Sequence, residues 1–465
     1  MDHQINLSSV LPDDVLADAL GRLAPRDLAV SRSVCKAWRD AVDGYGILRT
    51  ELLPLSLAGF LINYNWRSVT EFFAHPPKTK ALSAVVSGKH HDFLAEGDIG
   101  SWETVLDHCN GLLLIKYYGE DDGNRRTLEV FNPATGCWAL VPPCPPPGDE
   151  MMCAFTYEHL AYDPAVSPHH YQVFSIPSFG HRGKVVDPDR EKMEWPPATY
   201  VLHVFSSVTG RWEERSFVRE GGAAGIVADM RRGLSSERNA VYRQGKLFVH
   251  CQTNFVMRLS LSNDKYHVIK PPAAGVTTMY LGKSEKGIYC ASFVARCKLR
   301  VWILNESCFP MEWVLKYDHD LLGVLTKKNL CSPCRNHDDQ QVRGPWMFLD
   351  INYSYSKNTD VNPKALVKEE FAWTSDASDD EATECVVDSE DRSFYSGYFD
   401  ILGFHPYKEI IFLSQTISMG LAYHLNSSTI QDLGNLYPKD YDQELPNERF
   451  IQSSFPYTPC WIELI

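Results

Sequence analysis

The sequence predicts an α+β multidomain chain, in which a small N-terminal helical unit is followed by a long all-β region. Three observations lead to this prediction. Apolar residues between positions 11 and 42 recur at helical spacing. From about Leu61 onward, short apolar runs alternate with turn signals, which is typical of antiparallel strands. Several of these runs share a loose repeating pattern, which favours a repeat architecture.

The N-terminal unit is predicted to contain three short helices. Pro12 suits the first helical position, and Asp13 and Asp14 follow where the helix dipole favours negative charge. Pro25 opens a second helix, and a third ends near Gly44. A unit of about 30 residues cannot bury all of its apolar side chains. Part of its surface is therefore expected to face a partner protein.

This helical unit, residues 8–46, resembles an F-box. The resemblance is carried by Leu11-Pro12-Asp13-Asp14, by Leu23, by Asp27-Leu28 and by Val34-Cys35-Lys36-Ala37-Trp38-Arg39. The chain departs mildly from the commonest pattern, which has Ile or Leu where Val15 stands and a further Leu near Val30. The resemblance implies that the unit binds a Skp-type adaptor, which in turn hangs from a cullin.

The residues expected to contact the adaptor are Leu11, Pro12, Val15, Leu16, Leu20, Leu28, Val34 and Trp38. Some of these side chains must instead hold the three helices together. The sequence does not divide the two groups. Residues 47–63 are leucine-rich and lack the Gly/Ser composition of a flexible linker, so they are predicted to form a packed connector.

Residues 64–465 are predicted to form a β domain built from a degenerate repeat. One half of the repeat is a turn with glycine before an apolar strand, as at Gly111, Gly245 and Gly287. The other half runs from a strand through a polar turn to an aromatic residue, as in Leu128–Trp138 and Val201–Trp212. A unit of roughly 45 to 50 residues fits a four-stranded propeller blade.

Five such units are recognisable. The runs Phe60–Tyr64 and Pro459–Leu464 are expected to supply a sixth unit and close the ring. The prediction is a kelch-like propeller of about six blades. A β-sandwich remains the alternative, because degenerate repeats do not determine the number of strands.

The β region also resembles the F-box-associated domain of a large plant class of F-box proteins. The matching residues are Cys109–Leu114, Phe131–Trp138, Leu160–Pro164 and Ser454–Tyr457. Together the two resemblances imply a substrate-recognition subunit of a Skp–cullin–F-box E3 ubiquitin ligase, without naming its protein substrate. The alternatives are an F-box scaffold acting outside a ligase, and a propeller enzyme or glycan binder.

Charge and composition limit the partners. The net charge is −14, and residues 369–391 contribute −10 of it, which predicts a solvated acidic loop inserted in the β domain. The remainder is close to neutral, so nucleic-acid binding is not expected. No apolar run approaches the roughly 18 residues of a membrane span. Thirteen cysteines without paired spacing, and no secretory signal, predict an intracellular protein, cytoplasmic or nuclear.

No catalytic, cofactor-binding or metal site is predicted, so the chain is expected to be non-enzymatic. Cys331, Cys334 and His337 have the spacing of half a zinc site, but no second cysteine pair stands nearby. The His169-His170 pair is expected to lie in a solvated turn. No nucleophile-elbow or phosphate-binding glycine motif occurs. The loops considered for target binding are 118–127, 178–198, 219–238 and 327–345.

Overall fold

The computed structural model describes the larger part of the chain. The described residues are 12–23, 28, 31, 34–45, 47, 57–67, 69–75, 102–118, 126–135, 137–146, 155–179, 188–232, 239–273, 279–295, 297–322, 344–349, 399–438, 441, 449–460 and 462. The acidic segment 369–391 and the Cys331, Cys334 and His337 group lie outside these ranges.

Two helices of the N-terminal unit are described in full, α1 (Asp13–Leu20) and α2 (Lys36–Gly44). Pro12 precedes α1, and its carbonyl accepts the first helical hydrogen bond from the backbone N–H of Leu16 at 3.0 Å. Of the predicted middle helix, Leu28 and Ser31 are described, and both are helical. In the part of the chain that the structure describes, no helix has the length and apolar character to span a membrane.

The first third of the β region supplies two groups of strands. They are β1 (Gly59–Tyr64), β2 (Glu71–Ala74), β3 (Trp102–Cys109), β4 (Leu112–Tyr118), β5 (Arg126–Asn132) and β6 (Cys137–Val141). All six residues of β1 are buried, as expected of a strand covered on both faces. Strands β3 to β6 form a four-stranded antiparallel sheet in chain order.

The middle of the chain forms one eight-stranded sheet and a small ribbon. The strands are β7 (Phe155–Tyr162), β8 (Tyr171–Ser178), β9 (Glu194–Trp195), β10 (Thr199–Ser206), β11 (Arg211–Glu220), β12 (Gly225–Ile226), β13 (Ala240–Arg243), β14 (Lys246–His250), β15 (Val256–Ser260) and β16 (Lys265–Ile269). Two short helices, α3 (Pro188–Glu191) and α4 (Val227–Arg232), lie between them.

The eight-stranded sheet consists of two antiparallel halves, β7-β8-β10-β11 and β13-β14-β15-β16. The halves join through a short parallel pairing of Val218–Glu220 in β11 with Lys265–His267 in β16. At the opposite edges of the halves, β7 and β13 are also in contact. The sheet therefore nearly closes on itself. Strands β9 and β12 pair separately as a two-stranded ribbon.

The last part of the chain supplies two further sheets and completes the first. The strands are β17 (Tyr280–Ser284), β18 (Gly287–Ala295), β19 (Lys298–Asn305), β20 (Glu312–Asp320), β21 (Met347–Leu349), β22 (Phe399–Phe404), β23 (Ile410–Gln415), β24 (Met419–His424), β25 (Thr429–Asn435) and β26 (Ile451–Tyr457). Strands β17 to β20 and β22 to β25 each form a four-stranded sheet in chain order, and β21-β2-β1-β26 forms another.

The repeat found in the sequence corresponds to fixed places in these sheets. Glycine turns at Gly111, Gly245 and Gly287 join the first two strands of a four-stranded unit. The polar turns in 128–138 and 201–212 join its last two strands. Gly111 and Gly245 have φ of +94° and +72°, in the left-handed region that favours glycine. The predicted alternation of the two turn types is confirmed.

One edge strand of each four-stranded unit contacts the edge strand of the next unit. These contacts run β3–β7, β7–β13, β13–β17, β17–β22, β22–β26 and β26–β3. The sequence of contacts therefore returns to its starting strand. Within this ring, the first sheet contains strands from both ends of the β region, since β1 pairs along its whole length with β26.

Two boundaries differ from the sequence prediction. The C-terminal strand that pairs with β1 is Ile451–Tyr457, and not the predicted run Pro459–Leu464. Cys460 and Ile462 instead pack as non-strand residues against the apolar cluster shared by β3–β5 and β7–β8. In addition, β1 begins at Gly59, so the first strand of the β region starts inside the predicted connector 47–63. Segment length and apolar content do not reveal which of two neighbouring apolar runs finds a pairing partner.

Candidate functional site

The apolar side chains of the N-terminal unit divide into a core and a surface. The core consists of Leu16, Leu20, Leu28, Ala41 and Val42, with Trp38 and Ile47 packed partly buried against it. Leu16, Leu20 and Leu28 are each at most 5% exposed. These three residues, predicted to be adaptor contacts, therefore hold the helices against one another.

Other apolar residues of the same unit are exposed to solvent. Pro12 is exposed, and Val15 and Val34 expose 46% and 60% of their surfaces. Leu23 and Tyr45 are exposed as well, although neither was among the predicted contact residues. We call Pro12, Val15, Leu23, Val34 and Tyr45 the exposed apolar set. Leu11 lies outside the described residues.

The exposure pattern follows from the helical period. In α1, Leu16 and Leu20 are one helical turn apart and both face the core, while Val15 lies about 100° away from Leu16. Acidic residues Asp13, Asp14 and Asp18 share the exposed side of this helix. The Arg22–Asp18 ion pair, at 2.6 Å, is exposed on both sides and contributes little stability.

Several ionisable groups also lie where β3 contacts β7, but their role there is structural and not catalytic. The buried carboxylate of Asp107 accepts the backbone N–H groups of His108 and Leu160, each at 2.8 Å. Burial lowers the pKa of His108 to about 4 and raises that of the Cys109 thiol to about 12. At neutral pH the imidazole is uncharged and the thiol is protonated, so neither has the character of an activated catalytic group.

No group of three or more His, Cys, Asp or Glu side chains in the described ranges is arranged to hold a metal ion. His169 and His170 lie in the turn between β7 and β8, as predicted, and His170 is exposed.

Two of the four loops considered for target binding lie side by side. Residues 178–198 contain β9 and residues 219–238 contain β12, and these strands pair through Trp195 and Gly225. Arg219 further ties the two segments together, since its guanidinium donates to the carbonyl of Pro196 and to the carboxylate of Glu194, each at 2.5 Å. Most of 118–127 and 327–345 lies outside the described residues.

Comparison with known proteins identifies the N-terminal unit. Residues 8–50 match the family model of the F-box domain. A curated protein of Arabidopsis thaliana, named as a candidate F-box protein, is 25% identical over 287 residues. The match covers 59% of this chain and 65% of the relative, so this chain spans somewhat less than two thirds of the length of that relative.

Solved structures resemble the chain only distantly. YCF48 bound to a D1 peptide gives a TM-score of 0.31 at 9% identity, covering 71% of this chain and 67% of YCF48. A mutant α-L-arabinofuranosidase from Fusarium graminearum, in complex with an iminosugar inhibitor, gives 0.26 at 10% identity, covering 70% of this chain and 78% of the enzyme. Overlaps this weak indicate neither a function nor a binding mode for this chain.

Proposed function

We propose, from the premise that residues 8–50 are an F-box domain, that the chain is the substrate-recognition subunit of a Skp–cullin–F-box ubiquitin ligase. F-box proteins generally act in ligases of this type, and their F-box domains typically bind Skp-type adaptors. The observation that carries the proposal is the exposed apolar set on the F-box helices. Several large apolar side chains left exposed on one small helical unit are expected where a partner protein covers them.

Within the F-box we assign two roles. Pro12, Val15 and Val34 contact the adaptor, and the exposed Leu23 and Tyr45 are assigned as further contacts. Leu16, Leu20 and Leu28 act indirectly, because they fix the packing of the helices that present those contacts. Half-buried Trp38 packs against the core and keeps part of its surface exposed, so it is assigned to both roles. Leu11 is retained as a contact on the F-box resemblance alone.

For the β region we propose a six-bladed, kelch-like propeller that binds a target protein. The cyclic contacts of the six edge strands and the recurrence of four-stranded antiparallel units support this architecture over a sandwich. A ring of this kind presents connecting loops at its two ends, where specificity can vary without change to the core. The F-box and the β region would then form the two ends of a non-catalytic adaptor.

The target protein would be ubiquitinated by other subunits of the complex, since F-box proteins are typically non-catalytic. The same proposal places the protein inside the cell, in the cytoplasm, the nucleus or both. The thirteen cysteines without paired spacing support an environment that keeps thiols reduced.

Co-purification with a Skp-type adaptor tests the proposal. A variant with Val15→Asp and Val34→Asp places two charges in the exposed apolar set, and we expect it to lose adaptor binding by more than about tenfold. Val208→Asp is the matched control, because Val208 is not part of the F-box and exposes 64% of its surface in the turn between β10 and β11. The control is expected to bind as the parent does.

Failure of the parent chain to bind the adaptor would overturn the adaptor role. Unimpaired binding by the double valine variant would overturn the surface assignment, and Leu11→Ala with Pro12→Ala tests the remaining edge of that surface. Adding the cullin then separates a ligase subunit from an F-box scaffold, because only the former recruits the cullin through the adaptor.

A further inference from the structure

A lysine side chain reaches across the centre of the ring formed by the six edge strands. In the order of contacts β3, β7, β13, β17, β22 and β26, strand β17 is three positions from β3 in either direction, so the two strands lie on opposite sides. Lys283 belongs to β17, and Asn110 directly follows β3. The ammonium of Lys283 nevertheless donates to Oδ1 of Asn110 at 2.8 Å. It therefore lies close to the axis of the ring.

Asn110 is itself held in place by a second strand. Its side-chain N–H donates to the carbonyl of Tyr162, the last residue of β7, at 2.6 Å, while its Oδ1 accepts from Lys283. The two hydrogen bonds thus connect strands on three sides of the ring. An ammonium group has three N–H donors, and within the described part of the chain Lys283 uses one of them. Two donors are left for water or for a ligand.

A second cation, Arg243, lies beside Lys283. Val241 of β13 and Leu281 of β17 belong to one buried cluster. Side chains two positions apart on a strand share a face, so Arg243 and Lys283 extend the rows of Val241 and Leu281 towards the ends of their strands. Burial lowers the pKa of Lys283, and the positive charge of Arg243 lowers that pKa further. The two cations are therefore close enough to repel each other.

Neither cation is paired with an anion. Among the described residues, no carboxylate lies within ion-pair distance of Lys283 or Arg243. Arg243 makes a long hydrogen bond of 3.4 Å to the side chain of its neighbour Gln244. The charge of Asp163, in the turn after β7, acts to raise the pKa of Lys283, but its carboxylate accepts the backbone N–H of Ala165 at 3.1 Å. Two positive charges and one negative charge thus lie together, which leaves one positive charge unbalanced.

This group of charges is accessible from solvent. Lys283, Arg243 and Asn110 are all half-buried, so part of each residue remains exposed. Partial burial removes some of the water around a cation, and a cation left unpaired there costs free energy. A charge-assisted hydrogen bond to an anion recovers part of that cost. A carboxylate matches the single unbalanced charge, whereas a phosphate dianion would exceed it and would be repelled by Asp163.

We propose that this end of the ring binds one carboxylate group of the target protein, held between the ammonium of Lys283 and the guanidinium of Arg243. The inference rests on the proposed function for the source of the carboxylate, since a substrate receptor needs a site for its target. The carboxylate accepts the free N–H donors of Lys283 and offsets the repulsion between the two cations. An acidic side chain and the C-terminal end of a target chain both supply this group.

Binding is measured on the full chain without the adaptor, so the result does not depend on ligase assembly. The probes are N-acetyl-glutamic acid α-amide for a side chain, N-acetyl-glycine for a chain end, and the uncharged N-acetyl-glutamine amide, titrated at constant ionic strength. The side-chain amide signal of Asn110 is followed by NMR, and an Asn110→Ala variant assigns that signal. We expect a carboxylate probe to bind about fivefold or more tighter than the glutamine amide. The tighter of the two carboxylates identifies the source of the group.

A Lys283→Met variant keeps most of the length of the side chain but not its charge. We expect it to bind the carboxylates and the glutamine amide equally, and Arg243→Met to weaken carboxylate binding in the same direction. Lys286→Met is the matched control, since Lys286 is an exposed lysine in the turn between β17 and β18, and it should keep the preference. Equal binding of all three probes by the parent, or no binding at millimolar concentration, would overturn the proposal without touching the adaptor role.

Two other results would also contradict the assignment. A preference for carboxylates that persists in a folded Lys283→Met variant would exclude Lys283 as the binding group. Tighter binding by inorganic phosphate than by either carboxylate would exclude a site for a single negative charge. The comparison of probes on the parent chain does not require any variant to fold.

Discussion

At the scale of single residues, His405 shows how burial sets a charge state. It lies in the turn between β22 and β23 with 2% of its surface exposed, and its ring stacks on Phe412. Nδ1 accepts the backbone N–H of Tyr407 at 3.1 Å, which requires a neutral ring with its proton on Nε2. Burial, with smaller contributions from Lys408 and His424, lowers its pKa to about 4.

This depressed pKa predicts a loss of stability in acid. The unfolded histidine titrates near pH 6.5, so the unfolded state binds more protons than the folded state between pH 6.5 and about 4. The stability that depends on a neutral His405 is fully present above pH 6.5 and is lost as pH falls to about 4. Between pH 7 and pH 4.5 this loss lowers the free energy of unfolding by about 2.5 kcal/mol.

A His405→Asn variant keeps an acceptor for the Tyr407 N–H but does not titrate. We expect its free energy of unfolding in urea to fall less than that of the parent between pH 7 and pH 4.5. Equal falls in the two proteins would show that His405 is not the source of the pH dependence.

Gly111 illustrates a second constraint, that of space. Its φ is +94°, and a Cβ added there would clash with the Cβ of Cys460. Gly111→Ala is expected to cost about 3 kcal/mol, from left-handed backbone and a forced contact together. Gly210→Ala is the control, because its φ is +65° and a Cβ there meets nothing within 4 Å. Urea unfolding should show that Gly210→Ala lowers the free energy of unfolding by only about 1 kcal/mol, less than Gly111→Ala does.

At the scale of elements, polar side chains join neighbouring sheets of the ring. Asn63 of β1 donates to the carbonyl of Val105 in β3 at 2.7 Å, and Ser454 of β26 donates to the carbonyl of Leu402 in β22 at 2.6 Å. Asp107 of β3 accepts the N–H of Leu160 in β7. Each bond satisfies a backbone group that would otherwise be buried at a sheet edge.

Arg219 of β11 holds the neighbouring segment that contains β9 by hydrogen bonds to Pro196 and Glu194. Arg219→Ala removes the hydrogen bonds to Pro196 and Glu194 and is expected to destabilise the chain by about 1–2 kcal/mol. Backbone amides of residues 194 and 195 should exchange faster with deuterium. Arg211→Ala, at the exposed start of β11, is the control. Unchanged exchange at 194 and 195 would show that pairing with β12 alone holds the segment.

At the scale of the whole molecule, strands from the two ends of the β region share a sheet. β26 pairs with β1, and Phe455 and Tyr457 are buried in the cluster that also contains residues of β1 to β5. Beyond β26, the carbonyl of Ile462 accepts a hydrogen bond from the Asn132 side chain at 2.7 Å. The C-terminal residues therefore connect the first sheet to the second.

A chain truncated after residue 449 should not fold cooperatively. It loses β26 and the buried residues Cys460 and Ile462, so the ring contacts of β22 and β3 with β26 disappear. We expect broad thermal unfolding and loss of near-ultraviolet circular dichroism. A chain ending at residue 462 keeps every described contact and should unfold as the parent does. A sharp transition in the shorter chain would show that the ring is stable when open.

The local features of the fold were predictable from the sequence because short-range chemistry dictates them. Pro12 with two following aspartates predicts the start of α1, and α1 begins at Asp13. Glycine turns and polar turns predict where strands reverse, and the turns at Gly111, Gly245 and 128–138 do so. The F-box match at 8–50 likewise rests on spacing within one short segment.

The partners of distant segments were not predictable. The sequence offered two apolar runs near the C-terminus, and only the ring geometry decided that Ile451–Tyr457 pairs with β1. The predicted adaptor contacts contained both buried Leu16 and exposed Val34, because one helical period alone does not say which face meets the other helices.

The sequence by itself determined the helical unit, the strand-and-turn repeat and the expectation of an adaptor-binding surface, since each depends on residues within one or two turns of chain. Tertiary structure alone decided which apolar side chains remain exposed and how the two ends of the β region meet. These depend on contacts between distant segments, whose free energy is set by packing and burial that no single stretch of sequence contains.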